Sequence, residues 1–314
     1  MTAQTDAEGS LVHLLTLEGL PLESLRALLD RAQAFAGGED ARGALAGTAV
    51  CTLFFEPSTR TRLSFQRATQ RLGADVLGFD AATSSTTKGE TARDTLKNIE
   101  AMGVRGFVVR AREDGAVAAL AAAAAPGSAL VNAGDGRHQH PTQGLLDMLT
   151  IRDWKGPDFS QLRVAIIGDI RHSRVARSDL VALEKLGVGE IRACGPAGLL
   201  PDDDTLSACS MVTDDLDAAL RDVDVVMTLR LQRERMEDGL VDSLDGYHRD
   251  FGITVERLRV AQPDAIVMHP GPMNRGVEIS DEVADGPQSA ILRQVANGVK
   301  VRMAVLERAF ASEP

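Results

Sequence analysis

FFEPSTRTRLSFQRA occupies residues 54–68 and joins an expected strand to an expected helix. The apolar run TAVCTLFF (48–55) stops at Glu56-Pro57, where proline removes a ladder donor. Ser58, Thr59, Arg60, Thr61 and Arg62 follow at once, and a helix is expected over 60–72. Ser58 or Thr59 is placed to cap that helix. The first-turn amides would then point outward, where the helix dipole favours an anion. Arg60 adds a planar fork suited to phosphate oxygens. Two readings stand side by side: a phosphate cradle, or an ordinary capped helix with solvated arginines.

Outward from this junction, strand-like and helix-like segments alternate. Candidate strands lie at 48–55, 74–79, 106–110 and 128–133, and candidate helices near 60–72, 91–102, 115–124 and 142–154. An earlier helix starts after Pro21, with Leu25, Leu28, Leu29, Ala32 and Phe35 at helical spacing. The second half repeats the pattern, with strands at 163–168, 190–194, 224–229 and 265–269 and a helix over 173–187 that stops at Gly187. Such alternation predicts an α/β protein of two domains, each a parallel sheet flanked by helices. The polar stretch WKGPDFSQ (154–161) marks the break between halves. A last helix carries Leu292, Val295, Val299, Met303, Leu306 and Phe310 as its apolar stripe. Nothing in its pattern says which domain it packs on.

The 314 residues suit two medium domains better than one large one. With 44% apolar and 25% charged residues the composition is that of an ordinary globule, and 4% aromatics means a core of Leu, Val, Ile and Ala. A net charge of −11 argues against a general nucleic-acid binder, but local cations can still gather a small anion. Cys51, Cys194 and Cys209 lack metal-ligand spacing, which points to a reducing compartment and no structural zinc. The first twenty residues carry Asp6, Glu8 and Glu18 and no Lys or Arg, unlike a secretory signal. GAVAALAAAAAPGSALV (115–131) is broken by Pro126-Gly127 and too short to span a bilayer, so it reads as a helix followed by a strand. A cytoplasmic protein with no membrane segment is expected.

In open α/β sheets, ligands gather at the carboxyl ends of strands. GFVVR ends at Arg110. SALVNA (128–133) runs into GDGRHQHPTQ (134–143), which sets His138, His140 and Gln143 at a helix start with Pro141 at its first position. A histidine there donates to a developing oxyanion, or serves as a cap or core-edge residue. RVAIIG (163–168) runs into DIRHSR (169–174), where a dinucleotide fold would show G-x-G-x-x-G. Its absence argues against a nicotinamide or flavin, and leaves Arg171, His172 and Arg174 near a helix start. DVVMTL (224–229) runs into RLQRERM (230–236), with Arg230 and Gln232. AIVMH (265–269) runs into PGPMNRG (270–276), a turn that exposes backbone carbonyls. AATSSTTKGET (81–91) is a hydroxyl-rich loop ending in Lys88-Gly89, either mobile surface or a flap that closes on an anion. His138 and His140 have no carboxylate or cysteine partners at ligand spacing, so no metal is expected.

Together these stretches resemble the transcarbamoylase superfamily and, within it, the aspartate carbamoyltransferase catalytic chains. FFEPSTRTRLSFQRA, TSSTTKGET, QHPTQGLLDML, GDIRHSRVARS, RLQRERM and HPGPMNRGVEI lie in the same order over residues 54–279. The last two look specific to the aspartate enzymes. The His-Cys-Leu-Pro stretch of ornithine carbamoyltransferases is replaced by His269-Pro270-Gly271-Pro272, and their Ser-Met-Gly loop is missing.

The resemblance implies a transcarbamoylase fold whose Rossmann-like second domain lacks the dinucleotide fingerprint. A carbamoyl-phosphate-binding domain would span 1–145, rejoined by the C-terminal helix 288–314, and an aspartate-binding domain 146–287. It further implies that Ser58, Thr59, Arg60 and Thr61 bind the phosphate of carbamoyl phosphate with Arg110. Thr61, Arg110 and His140 would meet the carbamoyl oxygen, and Gln143 the carbamoyl amide. Ser84 (or Ser85 or Thr86) and Lys88 would reach a neighbouring subunit's site, binding carbamoyl phosphate and, for Lys88, aspartate as well. That implies a homotrimer with shared sites. Arg174 and Arg230 would take the two carboxylates of L-aspartate, helped by Gln232, with backbone contacts at Pro270 and Gly271. Arg60, Thr61, Lys88, Arg110 and His140 would be the catalytic set. The implied reaction is the second step of de novo pyrimidine biosynthesis, without a cofactor, in a trimer that regulatory or dihydroorotase-type chains could join. The competing readings are a transcarbamoylase for another amine such as ornithine, and a catalytically silent scaffold or anion sensor.

Overall fold

A computed structural model describes residues 4–6, 11–80, 89–232 and 243–310. The chain divides into two compact units, Met1–Leu149 with Val295–Pro314, and Thr150–Gln294.

The first unit begins with α1 (Leu22–Ala36), β1 (Ala49–Phe54), α2 (Thr59–Leu72), β2 (Asp75–Asp80), α3 (Ala92–Ala101), β3 (Gly106–Ala111), α4 (Ala116–Ala123) and β4 (Ala129–Asp135). Helix α5 (Pro141–Lys155) then carries the chain across the boundary at Leu149. The four strands form one parallel sheet in the order β2-β1-β3-β4. Val50–Phe54 and all of β4 are buried, as continuous apolar strands must be when helices cover both faces. Cys51, Leu53, Phe107, Val109 and Leu130 of the sheet pack with Leu96 of α3 and Val117 and Leu120 of α4. The outer edge of β4 is covered by the N-terminal segment: Leu14 N donates to Leu130 O at 3.0 Å, and Asn132 N to Leu14 O at 2.8 Å.

The second unit holds β5 (Arg163–Ile167), α6 (Arg174–Leu186), β6 (Glu190–Cys194), β7 (Met211–Thr213), α7 (Leu216–Leu220), β8 (Val225–Thr228), α8 (Leu244–Phe251), α9 (Val255–Leu258), β9 (Ile266–Met268) and α10 (Asp281–Ala284). Helix α11 (Ile291–Phe310) returns the chain to the first unit. The sheet is again parallel, in the order β7-β6-β5-β8-β9. Its core joins Ala165, Ile167, Val226 and Val267 to Leu216, Leu220 and Phe251.

Strand β7 and the short helices α7 to α10 have no counterpart in the expectations above. Met211–Thr213 is a three-residue edge strand with no fully buried residue, so no alternation marks it. Helices of four or five residues such as α9 and α10 are shorter than the window over which periodicity shows. The apolar stripe expected on α11 holds at Met303 and Leu306, which are buried, but not at its start. Leu292 and Val295 are 82% and 46% exposed, whereas the buried residues include Asn297 and Arg302 beside Val301 and Val305. Polar residues on the buried side make an apolar period misread the face.

Each sheet has one point where strand order reverses. It lies between β1 and β3 in the first unit and between β5 and β8 in the second. Crossover connections leave in opposite directions there, and a crevice opens outside the carboxyl ends.

Candidate functional site

At the first reversal point, β1 leads into Glu56, Pro57 and Ser58, and β3 ends beside it at Arg110 and Ala111. Ser58 holds the N-cap position in an extended conformation (φ −160°), but its hydroxyl makes no capping hydrogen bond. The expected cap is therefore one of position only. The first turn of α2 contains no acidic residue and carries Arg60, so the turn itself offers no carboxylate to offset the helix dipole. Thr61 is buried and Arg60 exposed.

Arg110 is held at both sides. Its Nη1 donates to Ala133 O at 3.2 Å, and its Nε lies 3.2 Å from Glu56 Oε2 as an ion pair rather than an aligned hydrogen bond. Pairing of β3 with β4 slips across this residue, from Val109↔Asn132 to Ala111↔Asp135. The slip leaves the Ala133 carbonyl to accept from the guanidinium.

Beyond β4, buried Asp135 organises the loop that presents His140. Its Oδ1 accepts from Asn132 Nδ2 (2.9 Å) and Gln139 N (3.1 Å), and its Oδ2 from Gly115 N (3.0 Å). His138 is half-buried with Nδ1 3.4 Å from Asp135 Oδ2, so of the two candidate histidines this one serves the loop. The hydrogen bond to Asp135 raises the His138 pKa above its ordinary value. Burial pushes Asp135 upward, but His138, Asn132 and the Gln139 amide together hold it below the ordinary value. His140 is buried and precedes Pro141, the first residue of α5, and its carbonyl accepts from Gln143 N (2.9 Å) and Gly144 N (3.2 Å). Gln143 is buried with Nε2 on both oxygens of Asp147, at 3.1 and 3.2 Å.

At the second reversal point, Gly168 follows β5 with φ +116° and donates its N–H to Cys194 O at 2.8 Å. Asp169 is fully buried. Its Oδ1 accepts from His172 N (3.2 Å) and His172 Nδ1 (2.8 Å), and its Oδ2 from Gln232 N (3.3 Å). Gln232 Nε2 in turn donates to His172 O at 3.1 Å. The loops after β5 and β8 are thus tied together, with Gln232 fixed and Arg230 two residues before it. Arg174 is buried as the first residue of α6, a helix capped by Ser173 Oγ accepting from Ala176 N. Arg171 turns elsewhere, donating through Nε and Nη2 to Leu200 O at 3.0 and 2.8 Å.

After β9, Gly271 N donates to His269 Nδ1 at 2.7 Å. The ring proton therefore sits on Nε2, which donates to Glu278 Oε1 at 3.1 Å. The same oxygen accepts from Asn274 N at 2.5 Å. Both His269 and Glu278 are buried, and Gly271 has φ +65° in a turn closed by a cis Gly271-Pro272 bond. The Pro270-Gly271 backbone is held in one conformation by this pair.

The structure therefore brings Ser58, Thr59, Arg60, Thr61, Arg110, His140 and Gln143 to the carboxyl edge of the first sheet. It brings Arg174, Arg230, Gln232, Pro270 and Gly271 to the same edge of the second. Ser84 and Lys88 lie outside the described residues. Three polar supports were not anticipated: Asp135 for the His140 loop, Asp169 with His172 for Gln232, and Glu278 for His269. Asp169 and His172 stand three apart, a spacing that could have marked them; Glu278 follows His269 by nine, where no local pattern links them. Among the described residues no group of three or more His, Cys, Asp or Glu side chains is arranged to hold a metal, and no helix is long and apolar enough to cross a membrane.

Two family models match the chain in succession. The aspartate/ornithine carbamoyltransferase carbamoyl-P binding domain matches residues 12–153, and the corresponding Asp/Orn binding domain matches residues 160–309. The aspartate carbamoyltransferase catalytic subunit of Stenotrophomonas maltophilia (strain K279a) is 70% identical over 313 residues, covering 98% of this chain and 99% of that one. The subunit of the same name from Xanthomonas campestris pv. campestris (strain B100) is 70% identical over 310 residues, 98% of each chain. Among solved structures, aspartate transcarbamoylase from Trypanosoma cruzi in complex with carbamoyl aspartate and phosphate superposes with a TM-score of 0.84 at 31% identity, over 98% of this chain and 99% of that one. Ornithine carbamoyltransferase from Thermus thermophilus has the same TM-score at 28% identity, over 95% and 98%. With both domain models matched in order and such identity along nearly its whole length, the chain belongs to the aspartate/ornithine carbamoyltransferase family, among the aspartate carbamoyltransferase catalytic subunits.

Proposed function

We propose that the protein transfers the carbamoyl group of carbamoyl phosphate to the amino group of L-aspartate, giving N-carbamoyl-L-aspartate and phosphate in de novo pyrimidine biosynthesis. The observation that carries this reading is the start of α2, where Ser58 spends no side-chain bond on the cap and the first turn holds no acid, beside an anchored arginine. Its first-turn amides, the hydroxyls of Ser58, Thr59 and Thr61, and the guanidiniums of Arg60 and Arg110 take the phosphate.

The aspartate nitrogen attacks the carbamoyl carbon, and negative charge grows on the carbamoyl oxygen. Thr61, Arg110 and His140 donate to that oxygen, a form of stabilisation whose single donors are worth about 2.7–4 kcal/mol. As the new C–N bond forms, the C–O bond to phosphate breaks and the departing phosphate accepts the amine proton. Holding both substrates in attack geometry supplies roughly 7–11 kcal/mol more. Phosphate leaves readily on its own, so positioning and charge suffice. Arg174 and Arg230 bind the two aspartate carboxylates with Gln232, and the Pro270-Gly271 carbonyls accept from amide or amino groups. Ornithine would present an ammonium to Arg230, a like-charge contact that disfavours it.

Supplying carbamoyl phosphate with aspartate and, separately, with ornithine tests the assignment: product from aspartate alone is expected. Turnover of ornithine, or anion binding without turnover of either, would replace the reading. Lys88 and Ser84 are assigned to a neighbour's site, so the working unit is a homotrimer. Native mass should be that of three chains, and mixing Lys88→Ala with His140→Ala chains should regain activity that neither homotrimer has. Hybrids that exchange subunits yet stay dead would end the shared-site idea. All three cysteines are free thiols, in keeping with a reducing cytoplasm.

A further inference from the structure

We propose that Asp147 and Arg302 are positioning residues for the carbamoyl group: Asp147 turns the Gln143 amide so that its oxygen faces the substrate, and Arg302 keeps Asp147 in place. The inference rests on the reaction proposed above, and it concerns groups below the site rather than in it.

The relay lies wholly in the first unit. Gln143 stands in the first turn of α5, at the edge that also holds Arg110. One turn further on, Asp147 is fully buried and receives Gln143 Nε2 on both oxygens. A carboxylate can only accept, so the Gln143 amide cannot turn round. Its Oε1 is fixed on the side away from Asp147, as an acceptor for an N–H donor. In carbamoyl phosphate the NH2 group is the donor of that kind.

Arg302 comes from α11 and is buried, with its guanidinium 4.9 Å over the Phe65 ring of α2. Its Nε makes no hydrogen bond. Burial lowers its pKa to about 10, a fall that the nearby Asp147 charge opposes, so it remains a cation at neutral pH. Its Nη1 and Leu146 Cδ2 lie about the same point beside Gly298, so the guanidinium sits against the turn of α5 that carries Asp147, and its charge attracts that carboxylate. Helix α11 is built around this side chain. A Cβ at Gly298 would lie 2.4 Å from Arg302 Nη1 and 3.4 Å from Leu146 Cδ2. Glycine inside a helix is unfavourable relative to alanine, and here it makes the room the guanidinium occupies. An apolar side chain would fill the same space without burying a charge.

Acetyl phosphate tests the relay, because it keeps the phosphate and carbonyl of carbamoyl phosphate and replaces NH2 by methyl. Binding of each compound, measured by titration calorimetry without aspartate, gives a ratio that reports on the Gln143 oxygen. Asp147→Asn is nearly isosteric, and its NH2 can donate to Oε1 and turn the amide round. It should weaken carbamoyl phosphate about tenfold and leave acetyl phosphate unchanged. Arg302→Met and Gly298→Ala should move the ratio the same way, and either serves if the other does not fold. An unchanged ratio in Asp147→Asn, or equal loss of both ligands, overturns the proposal. Wild-type protein that binds carbamoyl phosphate but does not carbamoylate aspartate would instead sink the reaction, so the two failures are distinct.

Discussion

Arg110→Ala is expected to lower kcat by about two to three orders of magnitude, with the fold intact. The guanidinium is assigned to both the phosphate and the carbamoyl oxygen, so its loss removes one donor from each. The deletion also removes a cation from beside Glu56, whose carboxylate is held 3.2 Å from Arg110 Nε at the edge assigned to the phosphate. With one cation fewer beside Glu56, that edge is less favourable to a phosphate, which adds to the loss. Arg110→Lys should recover little, since an ammonium cannot reach Ala133 O, Glu56 and a ligand with one planar fork. The strand itself should survive, because the buried residues of β3 on either side, Val108, Val109 and Ala111, are unchanged. Steady-state rates at saturating substrates, with thermal melting as the control, decide the matter. Near-normal turnover in a folded variant would remove Arg110 from the catalytic set.

Gly168→Ala should destabilise the second unit by about 2–5 kcal/mol and raise the KM for aspartate. The residue sits where β5 meets its loop with φ +116°, a conformation L side chains rarely adopt. A Cβ would also lie 2.7 Å from Tyr247 Oη and 3.2 Å from Leu229 O. Neither neighbour can step aside cheaply. Leu229 N is bonded to Ile167 O at 2.9 Å, and buried Tyr247 packs on Phe251 at 5.6 Å between ring centroids. Asp169, the next residue, holds Gln232 and His172, so backbone movement at Gly168 passes directly to the assigned aspartate contacts. Urea unfolding and aspartate saturation curves measure the two effects. A variant as stable as wild type, with unchanged KM, would show that the loop tolerates a side chain there.

Much of this arrangement was legible locally. The βα alternation, the proline and hydroxyls at 57–59, and Pro141 opening α5 all act through neighbouring dihedrals and hydrogen bonds, which a short window of sequence contains. Ser58 shows the limit of that reading: a capping residue in the capping position need not spend its hydroxyl on the helix. The stripe on α11 shows another, since apolar spacing pointed to Leu292 while the chain buried Arg302.

Sequence alone determined that two parallel α/β sheets form and that cations and hydroxyls follow several strands, because each is a property of contiguous residues. Only the tertiary structure decided which strand ends adjoin at the reversal points, and which buried acid holds which polar group. Strand order depends on crossovers, and Asp169 with Gln232 or His269 with Glu278 are supports whose members come together only when separate segments pack; no local preference encodes that meeting.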